Sequence, residues 1–162
     1  MTLEDIHKIL KDHFKENILD LKPAAEKQTT DRFIEVIPQK IHTLLKFLQE
    51  TPALYFDNIL CISGVDYPDR FEVVYHFHSY QHLHSVQIRA ALLDKKNPSI
   101  DSISDLWKGA NWLEREIYDM FGITFNNHPD LRRILCPDDW EGHPLRKDYQ
   151  HQEFYKEIKV GM

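Results

Sequence analysis

Between Phe56 and Leu93 lie three strand-like runs whose connections are too short to hold a helix. They are Phe56 to Val65, Phe71 to Tyr80 and His84 to Leu93, and the turn Tyr67-Pro68-Asp69-Arg70 separates the first two. Parallel neighbours need a long crossover, so runs this close are read as hairpins in an antiparallel sheet. Val73, Tyr75 and Phe77 alternate with Glu72, Val74, His76 and His78, which predicts one buried face.

Helical spacing flanks this block. Thr2 with Asp5 resembles a capping box, ahead of Leu3, Ile6, Ile9, Leu10 and Phe14 at helical intervals. Asn17 to Leu21 reads as a short strand, Pro23 to Thr30 as a polar turn, and Phe33 to Ile37 as another strand. Pro38 suits a first helical position before Ile41, Leu44, Leu45 and Leu48, and Pro52 ends that stripe. Two helices on the buried face of a mainly antiparallel sheet make an α+β layout. Ser102 to Trp107 suggests a helical turn, and Ala110 to Phe121 a third helix closed by Gly122.

Regular periodicity then stops. Thr124 to Gln150 contains Pro129, Pro137 and Pro144 and no clean pattern, yet it holds Phe125, Leu131, Ile134, Leu135, Trp140, Leu145 and Tyr149. An ordered segment of this kind needs a surface to lie on, either its own domain or a partner. The expected organisation is an α+β domain over residues 1–123, followed by an extended docking tail over residues 124–162.

Composition removes several classes of function. A net charge of −6 argues against phosphate-backbone binding. Cys61 and Cys136 fall short of the about four thiolates that hold an iron–sulfur cluster. The apolar runs, such as Ile59 to Ile62, are far shorter than the about 20 residues of a membrane-spanning helix. The acidic start, Met1 to Asp5, does not resemble a secretory signal.

On a helical wheel Ala110, Leu113, Ile117, Tyr118, Met120 and Phe121 share one arc, and Glu114 lies inside it. A carboxylate there is costly unless paired. Arg132 and Arg133, whose planar forks suit carboxylates, are the expected partners. Arg115, Glu116 and Asp119 fall on the opposite side with Trp112, where Arg115 and Asp119 are spaced for a pair that suits a solvated face and a docking face equally. The competing reading has the helix slightly rotated and Glu114 reaching water.

The histidines suggest a second function. His76 and His78 would share one strand face, and His82 and His84 one face of the next, so a hairpin could gather imidazoles around zinc in a small stand-alone metal-dependent enzyme. Alternating histidines are also ordinary strand filler, and no HExxH or finger spacing is present. No GxSxG marks a nucleophile.

The run Trp112-Leu113-Glu114-Arg115-Glu116-Ile117-Tyr118-Asp119-Met120-Phe121-Gly122-Ile123 resembles the signature of the 30-kDa-type (C) subunit of NADH:quinone oxidoreductase, respiratory complex I. The likeness continues through Phe125 and His128-Pro129-Asp130-Leu131-Arg132-Arg133-Ile134-Leu135. It closes with Asp139-Trp140-Glu141-Gly142-His143-Pro144-Leu145-Arg146-Lys147-Asp148-Tyr149.

The resemblance implies an accessory subunit of the hydrophilic arm, on the cytoplasmic side of the membrane. Such a subunit carries no cofactor; FMN, iron–sulfur clusters and quinone belong to partner subunits. It packs on the 49-kDa-type (D) subunit beside cluster-bearing neighbours and supports the quinone site. Relatives occur in photosynthetic and hydrogenase complexes, so the motif identifies the subunit rather than the electron donor. The chain is expected to lack the longer C-terminal extension of some members. The signature residues Glu114, Arg115, Glu116, Asp119, His128, Pro129, Asp130, Arg132 and Arg133 are the first candidates for structural and interface roles. Asp139, Trp140, Gly142, His143, Pro144, Arg146, Lys147, Asp148 and Tyr149 complete the set. Trp, Tyr and Arg are the residue types that dominate protein–protein contacts.

Overall fold

The computed structural model describes residues 1–22 and 32–160, with only the backbone described over residues 19–22. The turn expected over Pro23 to Thr30 lies outside the described residues. Helix α1 (Leu3–Phe14) begins with the expected capping box, in which Thr2 and Asp5 satisfy each other's backbone amides. Strands β1 (Ile18–Lys22) and β2 (Phe33–Val36) follow, then a 3₁₀ turn opening on Pro38, then α2 (Ile41–Glu50). The meander is β3 (Asn58–Asp66), β4 (Phe71–Ser79) and β5 (His84–Leu92). After β6 (Ser99–Asp101) comes α3 (Ala110–Phe121), closed by Gly122 in the left-handed conformation at φ 71°.

The five-stranded sheet has the order β1-β2-β5-β4-β3. β3–β4, β4–β5 and β1–β2 are antiparallel, as expected, but β2 and β5 are parallel, with Ile34 opposite Ile88. The return of the chain through α2 makes this possible, since a helix separates β2 from the meander. A three-residue parallel ladder also joins β6 to β7 (Thr124–Asn126), so the tail begins as a strand of the domain. Ser102 to Trp107 is a hydrogen-bonded turn, with the Leu106 and Trp107 amides bonded to the Ile103 carbonyl.

All three helices contribute to one core with one face of the sheet. Ile6 and Leu10 of α1, Leu44, Leu45 and Leu48 of α2, and Ala110 and Ile117 of α3 are buried in the same cluster as Phe71, Val73, Tyr75, Phe77 and Ile88. The opposite face of β4 and β5 carries Glu72, His76, Gln87 and Arg89. The approach of α3 depends on Gly64 in β3, where an added Cβ would lie 2.7 Å from the Phe121 ring. Overpacking of this kind typically costs about 1–3 kcal/mol. Gly64→Val is therefore expected to lower stability by about that amount in denaturant unfolding, whereas an unchanged midpoint would show that α3 does not rest on this glycine.

The carboxylate-anchored tail and candidate interface

α3 buries two faces. The apolar arc meets the sheet as the wheel predicts, and Arg115 and Asp119, for which the spacing leaves a solvated and a docking face equally open, are buried as well. The tail covers them. Asp119 is fully buried, and its Oδ2 accepts the consecutive backbone amides of Ile134 (3.0 Å), Leu135 (2.7 Å) and Cys136 (2.8 Å). Its Oδ1 pairs with Arg133 Nη1 at 2.6 Å. Burial pushes the Asp119 pKa up, but the Cys136 amide, Arg133 and the Leu135 and Ile134 amides outweigh it and hold the carboxyl below its usual range. The expected Arg115–Asp119 pair is thus replaced by two anchors. Arg115 donates through Nε to the Arg132 carbonyl (3.1 Å) and through Nη2 to the Arg133 carbonyl (3.2 Å).

Arg133 spans this centre, donating through Nη2 to the carbonyls of Trp140 and Gly142, both at 2.8 Å. The His143 ring donates through Nδ1 to the Asp119 carbonyl at 2.9 Å. That ring crowds Gly122, where an added Cβ would lie 2.6 Å from it. Gly142, at φ 77°, turns the chain so that Tyr149 packs beside it. Trp140 Nε1 donates to the Tyr149 hydroxyl (3.1 Å), and the Trp140 ring lies 5.2 Å from Tyr155. Asp139 accepts from the Tyr155 hydroxyl and pairs with Lys156 at the small hairpin of β8 (Phe154–Tyr155) and β9 (Ile158–Lys159).

A second clamp holds residues 144–148. Pro144 is half-buried, and the Leu145 amide bonds the Met120 carbonyl. Arg146 reaches the Lys95 carbonyl, pairs with Asp148 and sits 5.0 Å over Phe71. The Lys147 amide donates to Asp66 (2.8 Å), which also takes Lys95 Nζ at 2.5 Å. Asp66 is buried, and these bonds hold its pKa down against the desolvation that raises it. Neither Asp66 nor Lys95 was marked by the sequence pattern; a carboxylate closing an apolar strand was the available signal.

Glu114 is fully buried, as expected, but its partners differ from those expected. Ser102 Oγ donates to Oε2 at 2.6 Å and the Ile103 amide to Oε1 at 2.8 Å, so the carboxylate pins the turn before α3, not the tail. Arg132 pairs with Asp130 in solvent and Arg133 with Asp119. The His128 ring, enclosed next to Glu114 at 3.8 Å, donates to the Asn111 carbonyl and accepts the Asp130 amide. Pro129, which follows it, is exposed, and Glu116 faces solvent. Two hydrogen bonds do not offset the desolvation of Glu114, whose pKa is raised to about 7.

The His82 and His84 rings stack at 5.6 Å, but on each of the four histidines a ring nitrogen is taken up by another partner. His82 lies in the loop before β5, not on a strand face, and its Nε2 donates to the Pro52 carbonyl. His84 Nε2 donates to Leu54, His78 bonds Ser85, and Gln87 bonds His76. Among the described residues no cluster of three or more His, Cys, Asp or Glu side chains is placed to hold a metal ion.

α3 and the tail still present large apolar side chains outward. Trp112 is 61% exposed, Leu135 64% and Leu145 56%. Arg115 lies 5.1 Å over the Trp112 ring, which places that exposed indole beside the Arg132–Arg133 segment. Apolar groups on a rigid support are a feature of protein-binding surfaces.

Residues 34–155 match the family described as respiratory-chain NADH dehydrogenase, 30 Kd subunit. The protein named as the C subunit of NADH-quinone oxidoreductase from Chlorobium phaeobacteroides is 43% identical over 153 residues, covering 92% of this chain and 92% of its own length. One of the same name from Chloroherpeton thalassium is 52% identical over 116 residues, 70% of this chain, although the match spans only 48% of that relative. In fold, the chain is similar to one in the structure of the membrane-bound sulfane sulfur reductase, an archaeal respiratory membrane complex. The TM-score is 0.72 at 23% identity, covering 91% of this chain and 85% of that one.

Two substitutions separate the roles of the carboxylates. Asp119→Ala leaves Arg133 and three amides without their acceptor and is expected to cost roughly 3–5 kcal/mol, with residues 127–150 becoming open to limited proteolysis; a tail as resistant as wild type would contradict the anchor. Glu114 acts through pH. Its folded-state pKa of about 7 lies above the ordinary 4.5, so its contribution is complete below about pH 4.5 and is lost as pH rises through about 7, a fall of about 3 kcal/mol. Glu114→Gln should flatten that slope in unfolding measured across the interval, and an unchanged slope would place the titration elsewhere.

Proposed function

Because the chain belongs to the respiratory-chain NADH dehydrogenase 30 Kd subunit family, we propose that it is a cofactor-free scaffold of the hydrophilic arm of an NADH:quinone oxidoreductase, docking on the 49-kDa-type subunit. The observation that carries this reading is the tail, held rigid by Asp119 and Arg133 while Leu135, Leu145 and Trp112 face outward. A segment already ordered loses little entropy on docking. Neighbouring cluster-bearing subunits complete the environment, and flavin, clusters and quinone reside in those partners. Electrons do not pass through this chain. Its contribution is to hold the subunits around the quinone site in register, since small displacements of reacting groups are costly.

Among the described residues no helix is long and apolar enough to cross a membrane. Attachment to the cytoplasmic side of the inner membrane then runs through the assembled complex. Arg132 extends into solvent and pairs with the exposed Asp130, so its guanidinium faces outward toward a neighbouring surface. Trp140, half-buried between Tyr149 and Tyr155, shapes the same region.

Interface hot spots of these residue types are worth about 2 kcal/mol or more. Arg132→Ala and Trp140→Ala are each expected to reduce co-purification of the 49-kDa-type subunit about 30-fold at limiting concentration, with melting of the isolated chain as the control. Full assembly and full quinone reduction in both variants would overturn the docking role.

A further inference from the structure

The β3 edge of the sheet runs from Asn58 to Val65 without a charge or a proline. Edge strands usually carry such residues because an open row of amides and carbonyls invites another strand. β3 is nine residues long, and its ladder with β4 is broken only at the bulge that turns Leu60, 54% exposed, into solvent. Among the described residues no hydrogen bond reaches the backbone of Ile59 to Val65 from outside the β4 ladder.

Beside this edge lies a groove of about 250 Å³. Ile62 and Gly64 line it from β3, Leu113, Ile117 and Met120 from α3, and Leu145 from the tail. Glu116 is exposed on the α3 side, and no Lys or Arg lines the groove among the described residues. Asp57, just before β3, is also exposed. An unpaired strand edge next to an apolar groove is the arrangement that binds extended peptides, with backbone bonds supplying affinity and alternate side chains filling the groove.

We propose that β3 accepts an extended segment of the 49-kDa-type partner as a sixth strand, with apolar side chains entering the Leu113–Met120 groove and a Lys or Arg facing Glu116. This deepens the docking reading above and rests on it. The acidic rim selects a basic segment and disfavours a second copy of this chain. Symmetric antiparallel pairing about Ile62 would set Asn58 against Asp66, whose charge Lys95 already meets, and the uncharged stretch Asn58 to Val65 would offer neither Glu116 a cation.

Hydrogen exchange on the full chain, alone and in the complex co-expressed with the 49-kDa-type subunit, tests the proposal. Alternate amides across Ile59 to Val65 should exchange freely in the isolated chain and slow by at least about tenfold in the complex. Leu60→Lys adds a cation to a side chain already in solvent. It should leave thermal melting unchanged and weaken co-purification at least about tenfold by repelling a basic segment. A complex that assembles while β3 exchanges as fast as in the free chain overturns the sixth strand and leaves docking intact. Failure to assemble at all overturns both. Concentration-dependent protection of β3 in the isolated chain assigns the edge to a second copy and also overturns the proposal.

Discussion

A single buried carboxylate organises the last third of the molecule. Asp119 takes three successive amides and the Arg133 guanidinium, so a stretch of chain without a repeating ladder obtains its backbone partners from a side chain. Residues 134–136 have neither helix nor strand to satisfy their N–H groups, and leaving those groups buried and unbonded would be costly. Arg133 carries the order onward to Trp140 and Gly142, and His143 returns it to the Asp119 carbonyl. Without the carboxylate, these outer contacts would lose the centre that aligns them.

The same helix uses its two buried acids in opposite ways. Glu114 faces the core with two donors and no cation in direct contact, so burial dominates and its proton is held to about neutral pH. Asp119 has four donors, one of them charged, so ionisation dominates despite full burial. Donor number and charge favour the ionised form at Asp119, while the deeper enclosure of Glu114 in the core penalises it. One acid fixes the turn that leads into α3, and the other fixes the segment that follows it.

Much of the fold was legible in the sequence because it rests on periodicity. The β3–β4–β5 meander, the capping box of α1, the Pro38 start and the Gly122 stop of α3 each have a local signature. The parallel pairing of β2 with β5 has none, because it joins residues far apart in the chain, and the ladder of β6 with β7 is too short to show alternation. The burial of Glu114 could be read from its place on the wheel, but its donors could not, since a hydroxyl and a backbone amide in a turn leave no charge pattern. The burial of Asp119 and Arg115 has no such mark, because a wheel identifies only the apolar face. Their own face is covered by backbone, which side-chain hydropathy does not register. The apolar residues scattered through an aperiodic tail were the one trace of that cover.

The parallel seam of the sheet also bears on the order of assembly. Ile34 pairs with Ile88, so β2 has no neighbour on that side until the whole meander has been made. The meander forms through nearest-neighbour hairpins, whereas joining β2 requires closing a long loop first, which slows barrier crossing. During synthesis, the N-terminal segment through α2 would leave the ribosome with its apolar face unmet and become fixed only when β5 emerged. The late event in folding would then be the closure of this seam, and the early nucleus would lie in the middle of the chain.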